Sequence, residues 1–184
     1  MSILRFDQSL QLKIPWLQQK YSAQIKALTR DHTPEQIKKY SSEISEEYLL
    51  DRAMENQSRP VSVIKPRNLL YVNMENDEIR AWLDVTERVR EDGGPCEGWI
   101  KWLIADPKNK GFGSALLDEH LAKTSVDLTT LIVAATNLGA KKLYERKGFE
   151  KIRDMGDPFA GHDHQFIYMG LPRTSRGQDL AKML

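Results

Sequence analysis

The stretch that most constrains this chain is an apolar run ending in Asp-Pro, followed by a basic, glycine-punctuated turn. Residues 99–105 read as a strand that stops at Asp106-Pro107. Lys108-Asn109-Lys110-Gly111-Phe112-Gly113 follows, and a helix is expected to open at Gly113 or Ser114 and continue through Ala115, Leu116 and Leu117. A helix start reached through such a turn suits an anion. The first-turn N–H groups have no intrahelical partner, and the helix dipole favours negative charge. Gly111 and Gly113 would let backbone approach a phosphate closely, and Lys108 and Lys110 add positive charge. A dinucleotide fingerprint would need a third glycine at Leu116, and a phosphate loop of the Walker kind would need Gly-Lys-Ser/Thr. Neither is present.

With 184 residues, the chain reads as one domain large enough for a true core. A formal net charge of +1 gives no case for attraction to nucleic acid or to an anionic membrane. Cys96 is the lone cysteine, so an intrachain disulfide and a cysteine-rich metal site are excluded, and a reducing compartment is compatible. The opening Met-Ser-Ile-Leu-Arg-Phe-Asp puts charge where a secretory signal needs an apolar run. No window approaches the roughly 20 apolar residues of a membrane span. The expected location is cytoplasmic.

Residues 2–6 could form a first strand. Helical spacing follows in 15–30, with Leu17, Tyr21, Ile25 and Leu28 on one face. A second helix is expected over 34–53, where Thr33 can cap, Pro34 suits the first position and Gln36 completes a capping box. Residues 56–66 read as a linker. The period then changes to two: 69–74 and 78–85 form a hairpin across Glu75-Asn76-Asp77. The strand 97–105, a helix over 114–123, a buried strand at 131–135, a helix over 138–146 capped by Asn137, and strands at 149–155 and 165–169 complete the order. This predicts an α/β (α+β) fold, a mixed sheet covered by helices.

Two stretches at the right mutual distance resemble the GNAT superfamily of N-acetyltransferases. The glycine turn resembles that family's acyl-CoA pyrophosphate loop, Gln/Arg-x-x-Gly-x-Gly/Ala, with Lys108 in the first place. Residues 137–149, Asn-Leu-Gly-Ala-Lys-Lys-Leu-Tyr-Glu-Arg-Lys-Gly-Phe, match the family pattern Asn-x-x-Ala-x-x-x-Tyr-x-x-x-Gly-Phe at every fixed position. The resemblance implies a mainly antiparallel GNAT sheet in a single domain, residues 1–172; residues 173–184, polar apart from the last few, read on their own composition as a tail that could be loose. It also implies acetyl-CoA as acyl donor without a metal, and a primary amine on a small molecule, peptide or protein as acceptor. Dimerisation is common among such proteins.

On the same resemblance, the backbone N–H groups of Gly111, Phe112, Gly113, Ser114 and Ala115 cradle the pyrophosphate beside Lys108, Asn109 and Lys110. Leu103, Ile104 and Ala105 pair with the pantetheine amides where the strands 99–105 and 131–135 splay apart. Asn137 contacts the pantetheine region, and Tyr144, two helical turns on, is the general acid for the leaving thiolate. A tyrosine, with an ordinary pKa of about 10, is protonated at neutral pH. The competing readings are a helix cap for Asn137 and a core ring for Tyr144.

Three features depart from the pattern or resist it. Lys108 keeps the charge of the usual Gln or Arg position without an amide or a forked donor. Lys101 stands where many relatives have the carboxylate that deprotonates the acceptor. Alternation puts Glu97, Trp99, Lys101 and Leu103 on one strand face, making Glu97 the nearest carboxylate, with Asp84 and Glu87 as further candidates. A water relay would need none of them. Trp82, Trp99 and Trp102 are expected to pack on the sheet, with Trp99 a candidate for the acceptor pocket. His162-Asp163-His164 is too sparse for a metal site, and His120 reads as a tolerated or hydrogen-bonded helix residue. The rival functions are a CoA-binding or interaction module without turnover, suggested by Lys101, and transfer from a longer acyl-CoA.

Overall fold

The computed structural model describes residues 2–5, 15, 19, 67–88, 96–156 and 165–184. Seven strands and three helices lie among them: β1 (Ser2–Arg5), β2 (Arg67–Glu75), β3 (Glu78–Arg88), β4 (Glu97–Ala105), α1 (Phe112–Lys123), β5 (Leu128–Ala134), α2 (Leu138–Arg146), β6 (Glu150–Gly156), β7 (Phe166–Pro172) and α3 (Ser175–Met183). The expected helices at 15–30 (apart from residues 15 and 19) and 34–53, the linker 56–66, most of the loop 88–95, and 157–164 with its two histidines lie outside the described residues.

The strands form one sheet in the order β1-β2-β3-β4-β5-β7-β6. β4 and β5 run parallel, as a helical crossover through α1 requires, and the other pairs are antiparallel. The predicted mixed, mainly antiparallel sheet is therefore the one observed. On one face α1 buries Phe112, Leu116 and Leu117 against Tyr71, Leu83, Val85 and Ile100. Tyr144, Phe149, Leu131, Val133 and Met169 extend that core beneath α2.

One expectation fails for a physical reason. The alternation assumed for β4 breaks at Lys101. Asp84 pairs with Trp102 and Val85 with Ile100, so Lys101 is an extra residue opposite the Asp84–Val85 step. A bulge of this kind shifts the pleat by one. Leu103 consequently shares the α1 face with Ile100, while Glu97 and Trp99 face the other way.

The chain continues past β7 into a last helix. Residues 175–183 form α3, whose N-cap Thr174 accepts from the Gly177 N–H at 3.1 Å. Asp127 clamps this helix to the sheet: its carboxylate accepts from the Thr174 hydroxyl at 2.6 Å and the Cys96 N–H at 2.8 Å. A Cβ at Gly177 would lie 1.9 Å from the Asp127 carbonyl oxygen, so only glycine permits the contact. Gly177, Leu180 and Ala181, at helical spacing, are the α3 residues turned inward, so a short apolar stripe lies beside this polar clamp.

Candidate active site

β4 and β5 are joined by only four rungs, Glu97↔Leu128 to Ile100↔Leu131. Beyond them β4 continues to Ala105 on β3, and β5 continues to Ala134 on β7. The two strands thus part in mid-sheet at the Lys101 bulge, each held from its outer side. The result is a V whose β4 arm includes the predicted donor-binding Leu103, Ile104 and Ala105. An opening between two parallel strands gives an extended, amide-bearing ligand a backbone edge to pair with.

Beyond the open end lies the glycine turn. The Asp106 N–H donates to the Arg80 carbonyl at 2.8 Å and fixes the end of β4. Asn109 and Gly111 have φ of 62° and 81°. Gly111, the N-cap of α1, therefore occupies the left-handed region that favours glycine. Phe112, one residue earlier than expected, opens the helix, and the buried Asn73 side-chain amide donates to its carbonyl at 3.3 Å. No side chain caps α1, and its first turn carries no acid. Those N–H groups therefore lack competition for an anion, and Lys108 and Lys110 are exposed beside them. The Ala115 N–H is spent on the Gly111 carbonyl at 2.9 Å. The N–H groups of Phe112, Gly113 and Ser114 precede this first intrahelical bond. Gly113 turns its Cα towards Leu103 and Ala105, where an added Cβ would make ordinary contacts.

The second matched stretch has structural reasons of its own. Asn137 caps α2, its Oδ1 accepting from the Ala140 N–H at 3.2 Å. At the other end the Gly148 and Phe149 N–H groups donate to the Glu145 and Tyr144 carbonyls, each at 3.0 Å. With Gly148 at φ 88°, this is a Schellman ending. Phe149 seals it edge-on to Tyr144, with ring centroids 5.7 Å apart. Tyr144 is buried in the core, and burial pushes its hydroxyl pKa up, keeping it protonated. Seven residues separate it from Asn137, but Asn137 is exposed and occupied as a cap, so the expected shared side does not translate into shared surroundings.

The carboxylate candidates separate clearly. Asp84 is buried on β3 opposite Trp102, closed to solvent. Glu87 lies within β3 rather than beyond it, and is also closed: Arg67 donates through Nε at 3.0 Å and through Nη2, and Thr124 through its hydroxyl. His120 sits in the same layer, fully buried, its ring 5.9 Å from that of Tyr71. Among the described residues neither of its ring nitrogens has a hydrogen-bond partner, which favours the tolerated reading over the hydrogen-bonded one. Burial lowers its pKa from 6.5 to about 4, against the opposing pull of the Glu87 charge.

Glu97 has a side chain 22% exposed, on the face opposite α1. Its Oε1 accepts from the Thr130 hydroxyl at 2.9 Å and the Tyr168 hydroxyl at 3.3 Å, and Oε2 lies 3.9 Å from the exposed Arg88 guanidinium. The Tyr168 ring lies between Trp99, at 5.9 Å, and the Arg153 guanidinium, at 5.7 Å. Trp99 thus joins the Glu97 cluster. Thr130 and Tyr168 escaped sequence reading because nothing local marks them; only the strand order β4-β5-β7 brings them to Glu97.

A parted parallel pair followed by a glycine turn and an uncapped helix, within this strand order, is the fold of the GNAT N-acetyltransferases. Solved structures agree over nearly the whole chain. The ribosomal-protein-alanine N-acetyltransferase of Brucella melitensis superposes with a TM-score of 0.64 at 14% identity, covering 94% of this chain and 99% of its own. A GNAT-family acetyltransferase of Streptococcus pneumoniae gives 0.63 at 19% identity, over 93% and 98%. Arabidopsis thaliana NAA60, solved with acetyl-CoA, gives 0.56 at 13% identity, over 94% and 98%. No protein-family model and no curated protein sequence matches the chain. No helix among the described residues is long and apolar enough to cross a membrane.

Proposed function

We propose that this chain transfers an acetyl group from acetyl-CoA to a primary amine by direct attack in a ternary complex. The observation that carries the reading is the parting of β4 from β5 at Lys101, in line with an uncapped, acid-free helix start. In this reading the N–H groups of Phe112, Gly113 and Ser114, with Lys108 and Lys110, hold the donor's pyrophosphate. Leu103, Ile104 and Ala105 pair with its amide-bearing arm, and backbone N–H of the β4 arm faces the oxygen that becomes negative as the thioester carbonyl is attacked.

Glu97 is the base. It stands three residues before the last rung, about 10 Å along the strand, so a proton from the attacking ammonium reaches it through water. As the new C–N bond forms and the C–S bond breaks, Tyr144 supplies a proton to the departing thiolate. Its burial suits a group that must stay protonated until then. Cys96 has no part in this route, since no histidine lies near it in sequence to activate a thiol.

The test is release of free thiol from acetyl-CoA against a panel of amines: peptides with free N-termini, lysine and polyamines. Acetyl-CoA-dependent release with at least one of them is the expected result. Lys101, at the bulge where relatives carry a carboxylate, favours a second reading, a CoA-binding module without turnover. Firm CoA binding with no thiol release across the whole panel would select that reading. Mass analysis of co-purified CoA distinguishes acetyl from longer acyl donors.

A further inference from the structure

Glu97 is held by two hydroxyls from strands distant in sequence. Thr130 is 33 residues away and Tyr168 71 residues away. Trp99 pairs with Thr130, and Thr130 in turn with Gly170, two residues beyond Tyr168. By the two-residue repeat, Glu97, Trp99, Thr130 and Tyr168 share the sheet face opposite α1. Both hydroxyls converge on the same oxygen, Oε1. Trp99 and Arg153 flank the phenol ring. Two neutral donors fix the carboxylate's orientation without neutralising its charge, and among the described residues Oε2 faces the distant, exposed Arg88.

We infer that Tyr168 and Thr130 are positioning residues for acyl transfer: their hydroxyls hold Glu97 by one oxygen so that the other faces the acceptor's proton. This rests on the reading of Glu97 as the base. Neither residue touches the donor or the acceptor; each acts through the glutamate. The alternative is that the hydroxyls merely satisfy a half-buried carboxylate, with no bearing on rate. The two differ in what happens when Glu97 is absent.

The test is a double-mutant cycle on the full chain, using acetyl-CoA and whichever amine of the panel gives the fastest thiol release. A hydrogen bond to a charged group is strong enough that Tyr168→Phe and Thr130→Val should each lower kcat about tenfold. The KM for acetyl-CoA should stay within about twofold, because uniform binding is untouched. In a Glu97→Gln background the same Tyr168→Phe change should have no further effect. Thr130→Ser, which restores the hydroxyl, should recover wild-type kcat, and it carries the test if Tyr168→Phe fails to fold. Equal losses with and without Glu97, or no loss from either hydroxyl deletion while Glu97→Gln is impaired, overturn the positioning role and leave Glu97 as the base. A Glu97→Gln variant with wild-type kcat overturns the base reading, and the positioning role with it.

Discussion

Glu87 and Glu97 lie on adjacent strands, with Glu87 paired to Gly98 and Glu97 to Arg88, yet they face opposite sides of the sheet and meet opposite surroundings. Glu87 is 1% exposed and has a guanidinium and a hydroxyl on its two oxygens. Glu97 is partly open and has two hydroxyls crowded onto one oxygen. A carboxylate whose lone pairs are filled by a forked cation is a structural anion. One held by neutral donors on one side keeps an oxygen for chemistry. Sequence position ranks both as candidate bases, and environment separates them.

The largest effect that can break this contrast is on rate. Glu97→Gln keeps the shape and removes the charge, so kcat/KM should fall about 100-fold or more, as expected for loss of a general base. The urea midpoint should hardly move, because the remaining amide can still accept from both hydroxyls. Steady-state kinetics beside urea melts check this. A variant within threefold of wild type would mean that Glu97 is no more a base than Glu87.

Next comes the pH dependence beneath α1. His120 titrates at about 4 when folded, against 6.5 ordinarily. Between those values the unfolded chain takes up a proton that the folded chain refuses. The stability associated with the neutral ring is therefore full above pH 6.5 and lost as pH falls towards 4, by up to roughly 3 kcal/mol. Glu87, Arg67 and Arg173 are the charges that bear on it. His120→Leu should flatten that part of the profile in urea melts from pH 7 to pH 4, and an unchanged slope would show that the ring is protonated in the fold.

Glu87→Ala should act on stability alone. The buried Thr124 hydroxyl loses its acceptor and Arg67 returns to water. Because Arg67 is 53% exposed, the cost should be about 2 kcal/mol rather than the larger figure for a fully buried pair. Rates per folded molecule should stay within twofold. A rate loss like that of Glu97→Gln would erase the distinction drawn here.

The same division runs through what sequence could reveal. Positions that bind locally to their own element were the more legible: Asn137 reads as a cap, whereas Gly111 reads as a phosphate contact and its left-handed N-cap place emerges only in the structure. Positions defined by pairing across strands were not. The Lys101 bulge leaves no mark in Trp-Ile-Lys-Trp-Leu, part of an apolar run whose two faces look alike, although it turns Leu103 to the α1 face where the strands part. Thr130 and Tyr168 are ordinary strand residues until β5 and β7 are placed beside β4. α3 is held to the sheet by Thr174, Asp127 and a bare Gly177, a clamp between residues distant in sequence that no local pattern announces.

The finest test uses one substitution at two places. Thr124 donates its hydroxyl to Glu87, and Thr130 donates its hydroxyl to Glu97. Valine replaces either at nearly constant volume and removes the hydroxyl, and with it a long contact of 3.4 Å at each place, from the Val126 N–H to Thr124 and from Thr130 to the Gly98 carbonyl. Thr124→Val should lower stability by about 1 kcal/mol, the usual net worth of one hydrogen bond, because Arg67 still holds the carboxylate. Its kcat should match wild type. Thr130→Val should instead show its effect in kcat, because the group it releases is the one with an oxygen turned to the acceptor. Urea melts and kcat measured on both variants form a two-by-two comparison in which the larger entries lie on opposite corners. If both losses fell in stability, the Thr130 hydroxyl would be satisfying a carboxylate just as Thr124 does, and the two glutamates would differ in exposure but not in role.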